Sequence, residues 1–303
     1  MSELRYDTVT FLSDYGSADE FVGVVKSVIR QMAPDVTVID LTHDIAPFDV
    51  RGASMTLARS VQYLCPGVIL AVVDPGVGTD RRAVAVEIND GAAVFVGPDN
   101  GLLAAAVGLV GGATRAVLLD DPTHHLEGPG PTFDGRDVFA PAAALLCSGA
   151  DLADLGTEID PGTLMPGLMP LTRVEDGWIE AEVLWVDRFG NVQLNVDPDE
   201  LAEIADPIEI RTPGQRRVAR RVRTFGDLRV GDLGLVIDSV GLLAIVVDRA
   251  SAAEELDVAA GDSIGLREAG EQAPRSVAVT LGVGVGVTGG GGGARTTVEA
   301  GTE

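Results

Sequence analysis

Residues 7–13 read DTVTFLS, an apolar and β-rich run that stops at Asp14-Tyr15-Gly16. The period then changes. Phe21, Val22, Val25, Val28 and Ile29 recur at helical spacing and predict a helix over 19–32, with Asp19 as N-cap and Pro34 beyond its end. A second apolar strand is predicted over 36–41. A second helix follows over 50–63 and closes before Cys65-Pro66-Gly67. VILAVV at 68–73 is a continuous apolar run, the pattern of a parallel strand buried on both faces. It leads into Asp74-Pro75-Gly76-Val77-Gly78. Strands at 83–88, 93–96 and 116–119 and helices at 102–110 and 137–148 complete this half of the chain.

Strands alternating with helices over residues 1–165 predict an α/β domain on a mostly parallel sheet. Such sheets bind ligands beyond the carboxyl ends of their strands. Asp14 and Asp74 each follow an apolar strand, so both are expected at one crevice. The Pro/Gly/Met-rich stretch 161–170 breaks the alternation. Short β runs at 178–186, 192–196, 208–210, 233–237 and 242–247 then predict a smaller, β-barrel-like domain over 173–268. The remainder, 269–303, holds five consecutive glycines and is expected to be a disordered tail, because glycine loses the most entropy on ordering. Its glycine spacing resembles GxGxxG but does not join a strand to a helix, so no nucleotide role follows.

With 303 residues, 46% hydrophobic and 22% charged, the chain has ample core for two domains. Acids outnumber bases 46 to 22, a net charge of −24. That charge argues against nucleic acid and anionic membrane as partners and favours a cationic ligand. No run of 18 apolar residues suggests a membrane span, and the first residues do not read as a signal peptide, so a cytoplasmic location is expected. Cys65 and Cys147 are expected to be small buried apolar residues. Asp40, His43 and Asp44 lack a recognisable ligand spacing, and no metal is expected. His124 and His125 read as a solvated loop. The seven arginines within 211–229 read as the solvated face of a hairpin. Phe189 reads as core, although an aromatic there could stack on a ring.

FLSDYGSADEFVGVVKSVI, IDLTHDIAPFDV, VVDPGVGTDRRAVAVE, VGPDNGLL, TFDGRDVFAPAAALL and VDRFGNVQLNV occur here in order. Together they resemble the S-adenosyl-L-methionine (SAM) hydroxide adenosyltransferase family, relatives of SAM-dependent fluorinase and chlorinase, over residues 8–266. The resemblance implies hydrolysis of SAM to adenosine and methionine, with SAM as substrate and no separate cofactor. It also implies a homotrimer, with each site between one subunit's N-terminal domain and a neighbour's C-terminal domain. Asp14 matches a ribose-binding aspartate. Asp74 and Arg81 match two members of an Asp-Arg-His set that handles water. Asp187 and Asn191 match contacts to the methionine amino group and the adenine. Ser239 matches a methionine-carboxylate contact, and Asn100 lies near the nucleoside by analogy.

The chain departs from the family at Asp134, which stands where the motif TFHGRD has histidine. Asp134 would act as a base towards water or would leave a weakened site, the second being favoured because two carboxylates compete for Arg81. The pair Asp74 and Asp134 is expected to raise an apparent pKa, with Arg136 as a candidate counter-charge. A SAM- or adenosine-binding protein with little turnover is one alternative. A halogenase is another, disfavoured because Asp74 and Arg81 are both present.

Overall fold

The computed structural model describes residues 4–167 and 170–270. All but the first two residues of the expected tail therefore lie outside the described part. The N-terminal sheet has seven strands: β1 (Thr8–Ser13), β2 (Thr37–Thr42), β3 (Val68–Val72), β4 (Ala83–Ile88), β5 (Ala93–Pro98), β6 (Ala113–Leu118) and β7 (Glu158–Ile159). Their order is β2-β1-β3-β5-β4-β6-β7, and the first four are mutually parallel. Strands and helices fail to alternate twice: β3 leads to β4 through a loop without a helix, and the second exception is β4–β5. These strands are joined by a three-residue turn, Asn89–Gly91, in which every φ is positive, and they pair antiparallel.

Alternation along the central strands explains the layers. Val9, Phe11, Val68 and Leu70 pack on one side with helices α1 (Phe21–Met32) and α4 (Ala140–Cys147). Leu12, Ile69, Ala71 and Val73 pack on the other with α2 (Val50–Ser60) and α3 (Ala104–Leu109). β3 and β5 are buried along their whole length, as their uninterrupted apolar runs require. Helix α1 starts at Phe21, and Glu20 rather than Asp19 occupies its N-cap without a side-chain bond. Asp49 does cap α2, accepting from the Gly52 N–H. β2 sits at the sheet edge and is largely exposed.

The C-terminal domain is a closed barrel. β9 (Trp178–Val186), β10 (Val192–Leu194), β11 (Ile208–Arg211), β12 (Arg216–Arg221), β13 (Leu233–Ile237), β14 (Leu243–Val247) and β15 (Ser263–Glu268) run in the order β10-β14-β13-β12-β11-β15-β9, and β9 pairs again with β10. A short β8 (Arg173–Glu175) lies outside β9, and α5 (Ala252–Leu256) caps one end. β12 is RRVARR, whose apolar content is too low to read as a strand; its arginines survive there because acids meet them. Arg216 pairs with Glu209, Arg217 with Glu255, Arg220 with Asp232 and Arg221 with Asp206. Each arginine of β12 is thus paired with an acid of the same chain.

Cys147 is buried on α4, where burial pushes its thiol up to about 12. Cys65 contradicts the expectation: it lies exposed beside Pro66 in the turn between α2 and β3, before the chain passes inward at the buried Gly67. Among the described residues no helix is long and apolar enough to cross a membrane.

Candidate functional site

β1 and β3 are parallel neighbours, so the residues that follow them emerge at the same edge of the sheet. Asp14 follows β1, and Asp74 follows β3 after Val73. A tight turn returns the chain from Asp74 to Arg81, with Gly78 at φ +76. Arg81 reaches back to Asp74 with two bonds, Nε to Oδ1 at 3.0 Å and Nη2 to Oδ2 at 2.5 Å. The same Nη2 also donates to Asp134 Oδ2 at 2.5 Å. Asp134 opens a single π-helical turn, Gly135–Phe139, that leads into α4. Phe139 of that turn lies beneath the guanidinium, 5.4 Å away.

One guanidinium is therefore shared by two carboxylates. The side chains of Asp74 and Arg81 are 6% and 9% exposed and that of Asp134 is 23% exposed, so Asp134 is the member open to solvent. Asp134 Oδ1 makes no hydrogen bond among the described residues. Burial pushes the Asp74 carboxyl above its ordinary value; Arg81 opposes the shift and Asp134 adds to it. The raised value was expected from paired carboxylates, but burial is the larger cause. Arg136 is no counter-charge to this set. It gives Nε and Nη2 to Asp137, at 2.6 and 2.8 Å, and lies over Phe133.

Three neighbours escaped the sequence reading. Tyr15 packs edge-on against Phe133 and beside Phe21. Its phenol is pushed well above the ordinary value by burial and then by Asp14, Asp74 and Asp134, so it remains a neutral donor. Gly135 makes room for it, because a Cβ there would collide with the Tyr15 hydroxyl. His43, set aside as a metal ligand, braces the Asp14 loop. Its Nδ1 meets Ser13 Oγ at 2.7 Å, Ser13 Oγ accepts from the Tyr15 N–H, and the His43 carbonyl accepts from the Gly16 N–H. Asp14 itself accepts from the Phe48 N–H at 2.9 Å, and Phe48 is 71% exposed. An exposed aromatic at φ +68 has no periodic signature to betray it.

Asn100 donates to the Val73 carbonyl at 2.9 Å and accepts from the Leu102 N–H at 3.2 Å. Its amide thus ties the loop after β5 to the end of β3. His125 is not fully solvated: its Nε2 bonds the Leu119 carbonyl, and it shares a cavity of about 270 Å³ with Arg81 and Asp134.

Asp187, Asn191 and Ser239 stand elsewhere, at the end of the barrel. Asp187 Oδ1 accepts from the Phe189 and Asn191 N–H groups, and its Oδ2 accepts from Asn191 Nδ2. All three line a cavity of about 990 Å³. Asn191 and Phe225 also line an adjoining one of about 610 Å³, together with Phe189 and Ser251. Phe189 is 78% exposed and so is not core. It stands at the tip of a turn that Gly190, at φ +82, keeps tight, with an aromatic face free to stack. Arg81 and Asp134 thus line one cavity of the chain, and Asp187, Asn191 and Ser239 line another.

The family description "SAM hydroxide adenosyltransferase N-terminal domain" matches residues 9–156, and the corresponding C-terminal domain matches residues 181–265. A protein of Salinispora tropica named (R)-S-adenosyl-L-methionine hydrolase is 44% identical over 84% of this chain and 96% of its own length. A fluorinase from an Actinoplanes species is 24% identical over 86% of this chain and 97% of its own. The crystal structure of an uncharacterized conserved protein from Thermotoga maritima aligns with 34% identity and a TM-score of 0.79, over 86% of this chain and all of that one.

Proposed function

The chain belongs to the SAM hydroxide adenosyltransferase family, and on that footing we propose that it hydrolyses SAM to adenosine and L-methionine. The observation that carries the reading is Arg81 fixed between Asp74 and Asp134 beside Asp14, at the carboxyl edge of the parallel sheet. Water attacks the 5′ carbon, the carbon–sulfur bond breaks, and its electron pair neutralises the sulfonium as methionine leaves. The leaving group is already activated, so the reaction calls for no cofactor. The protein's part is to hold water in line and to stabilise the charge that develops on it. Arg81 supplies that field, Asp74 fixes its orientation, and the free Oδ1 of Asp134 takes the proton released by the attacking water. Asp14 accepts from the ribose hydroxyls. Asn100 acts through the backbone it holds.

Incubation with SAM, with and without high chloride, tests the reading by chromatography. Adenosine and methionine in equal amounts are expected under both conditions. A chlorinated nucleoside as main product would make the protein a halogenase, and binding without turnover would leave a SAM receptor.

A homotrimer with shared sites is part of the proposal. Its support is that Asp14, Asp74, Arg81 and Asp134 lie apart from the cavity lined by Asp187, Asn191 and Ser239. Mixing inactive Asp14→Ala chains with inactive Asn191→Ala chains is therefore expected to restore part of the activity after subunit exchange. No recovery in a demonstrably mixed oligomer would mean that each chain holds a whole site. We assign the protein to the cytoplasm; two unpaired cysteines, one of them exposed, suit a reducing compartment.

A further inference from the structure

The cavity of about 990 Å³ has two walls. One is the barrel end, with Trp185, Asp187 and Ser239. The other is the last turn of α2, with Arg59 and Ser60. Arg59 is firmly held. Its guanidinium stacks on the Trp185 ring at 4.1 Å, and its Nη2 donates to Thr56 Oγ1 at 3.0 Å. Its Nη1 is buried and has no hydrogen-bond partner among the described residues.

The acid nearest in charge, Asp238, is already engaged. Its Oδ2 accepts from Gln193 Nε2, and its Oδ1 accepts from the Val240 and Leu242 N–H groups. Burial accordingly lowers the Arg59 pKa, and Asp238 only partly opposes it. A buried cationic donor without an acceptor is costly, and an arriving carboxylate would remove that cost through a charge-assisted bond. Across the cavity Asp187 keeps acceptor capacity for an ammonium, since its carboxylate has about four lone-pair sites and three are taken by its own loop. Arg59 and Asp187, lining one cavity, match the two ends of an α-amino acid; Arg223 lines it too, but among the described residues Arg59 is the arginine with a buried nitrogen that has no partner. Ser239, exposed on the same wall, can add a hydrogen bond but no charge.

We propose that Arg59 is a specificity-determining residue that binds the α-carboxylate of SAM while Asp187 holds its ammonium. The proposal rests on the hydrolase reading for the identity of the ligand. It is tested by comparing SAM with decarboxylated SAM, which differs only in lacking that carboxylate. The wild-type kcat/KM is expected to favour SAM by roughly 10- to 100-fold, the range of a hydrogen bond to a charged group. Arg59→Met should raise KM for SAM, leave kcat unchanged and bring the ratio close to one. Arg59→Lys should keep part of the preference, because it retains the charge without the planar fork.

If Arg59 only braces α2 against Trp185, both substrates weaken alike and the ratio does not move; that result overturns the proposal. Dissociation constants for the two compounds read the same ratio without turnover. A wild type that binds with the expected preference but releases no adenosine therefore rejects the hydrolase reading and keeps Arg59. Thermal melting of both variants confirms that folded protein is compared.

Discussion

Arg81→Met is expected to lower kcat by about 10²–10³, the usual cost of removing one transition-state donor, with little change in KM for SAM. Among the described residues the guanidinium is the sole cation bonded to Asp74 or Asp134, and it is nearly excluded from solvent. Without it, water at the 5′ carbon faces two carboxylates, which oppose the build-up of hydroxide character. Asp74, already raised by burial, would take up a proton rather than stay ionised beside Asp134. Arg81→Lys should recover only part of the rate, because an ammonium cannot reproduce the paired Nε and Nη2 bonds to Asp74. Adenosine release at saturating SAM is the measurement. A raised KM with kcat intact would show that Arg81 serves binding and not the reacting water.

Asp134→Asn is expected to cost about 10²-fold in kcat, the scale of a lost general base. The sequence argument favoured a weakened site, in which this change is harmless. Both carboxylates do share Arg81 Nη2, but we propose the base role because only one oxygen of Asp134 is tied to Arg81 and its side chain is the most open of the three. The pH dependence has a definite sign. Both carboxylates must be ionised, so kcat/KM rises with pH and levels off. Because the Asp74 carboxyl is raised above the ordinary 3.8, the acid limb lies above that value. Asp134→His should stay active, since an imidazole can accept the proton without competing for Nη2, and should move the limb towards about 6.5. An Asn variant with wild-type turnover and an unmoved acid limb would remove Asp134 from the proton path.

The sequence carried the architecture because the hydrophobic pattern is local. An unbroken VILAVV can only be a strand covered on both faces, and the 3.6-residue recurrence in α1 can only face a layer. It also carried Asp14, Asp74, Arg81 and Asp134, since each stands in a short motif at an element's end. β12 was not legible as a strand, because RRVARR is stabilised by acids on β11, α5 and the loops, none of which its own pattern shows. Cys65 and Phe189 were misjudged for a related reason: exposure depends on what the rest of the fold covers, and turns leave both uncovered.

The identity of the elements and the carboxylates at their ends was thus set by the chain itself. Three things awaited the tertiary structure. One was the atom at which the two carboxylates expected to compete for Arg81 meet it: a single nitrogen, Nη2, bonds both Asp74 and Asp134, residues 60 positions apart. Another was the bracing of the Asp14 loop by His43. The last was the unpartnered Nη1 of Arg59, on a residue that lines one cavity with Asp187. Each is a matter of which donor remains free after distant segments have packed, and hydrogen-bond satisfaction is decided in three dimensions, not along the chain.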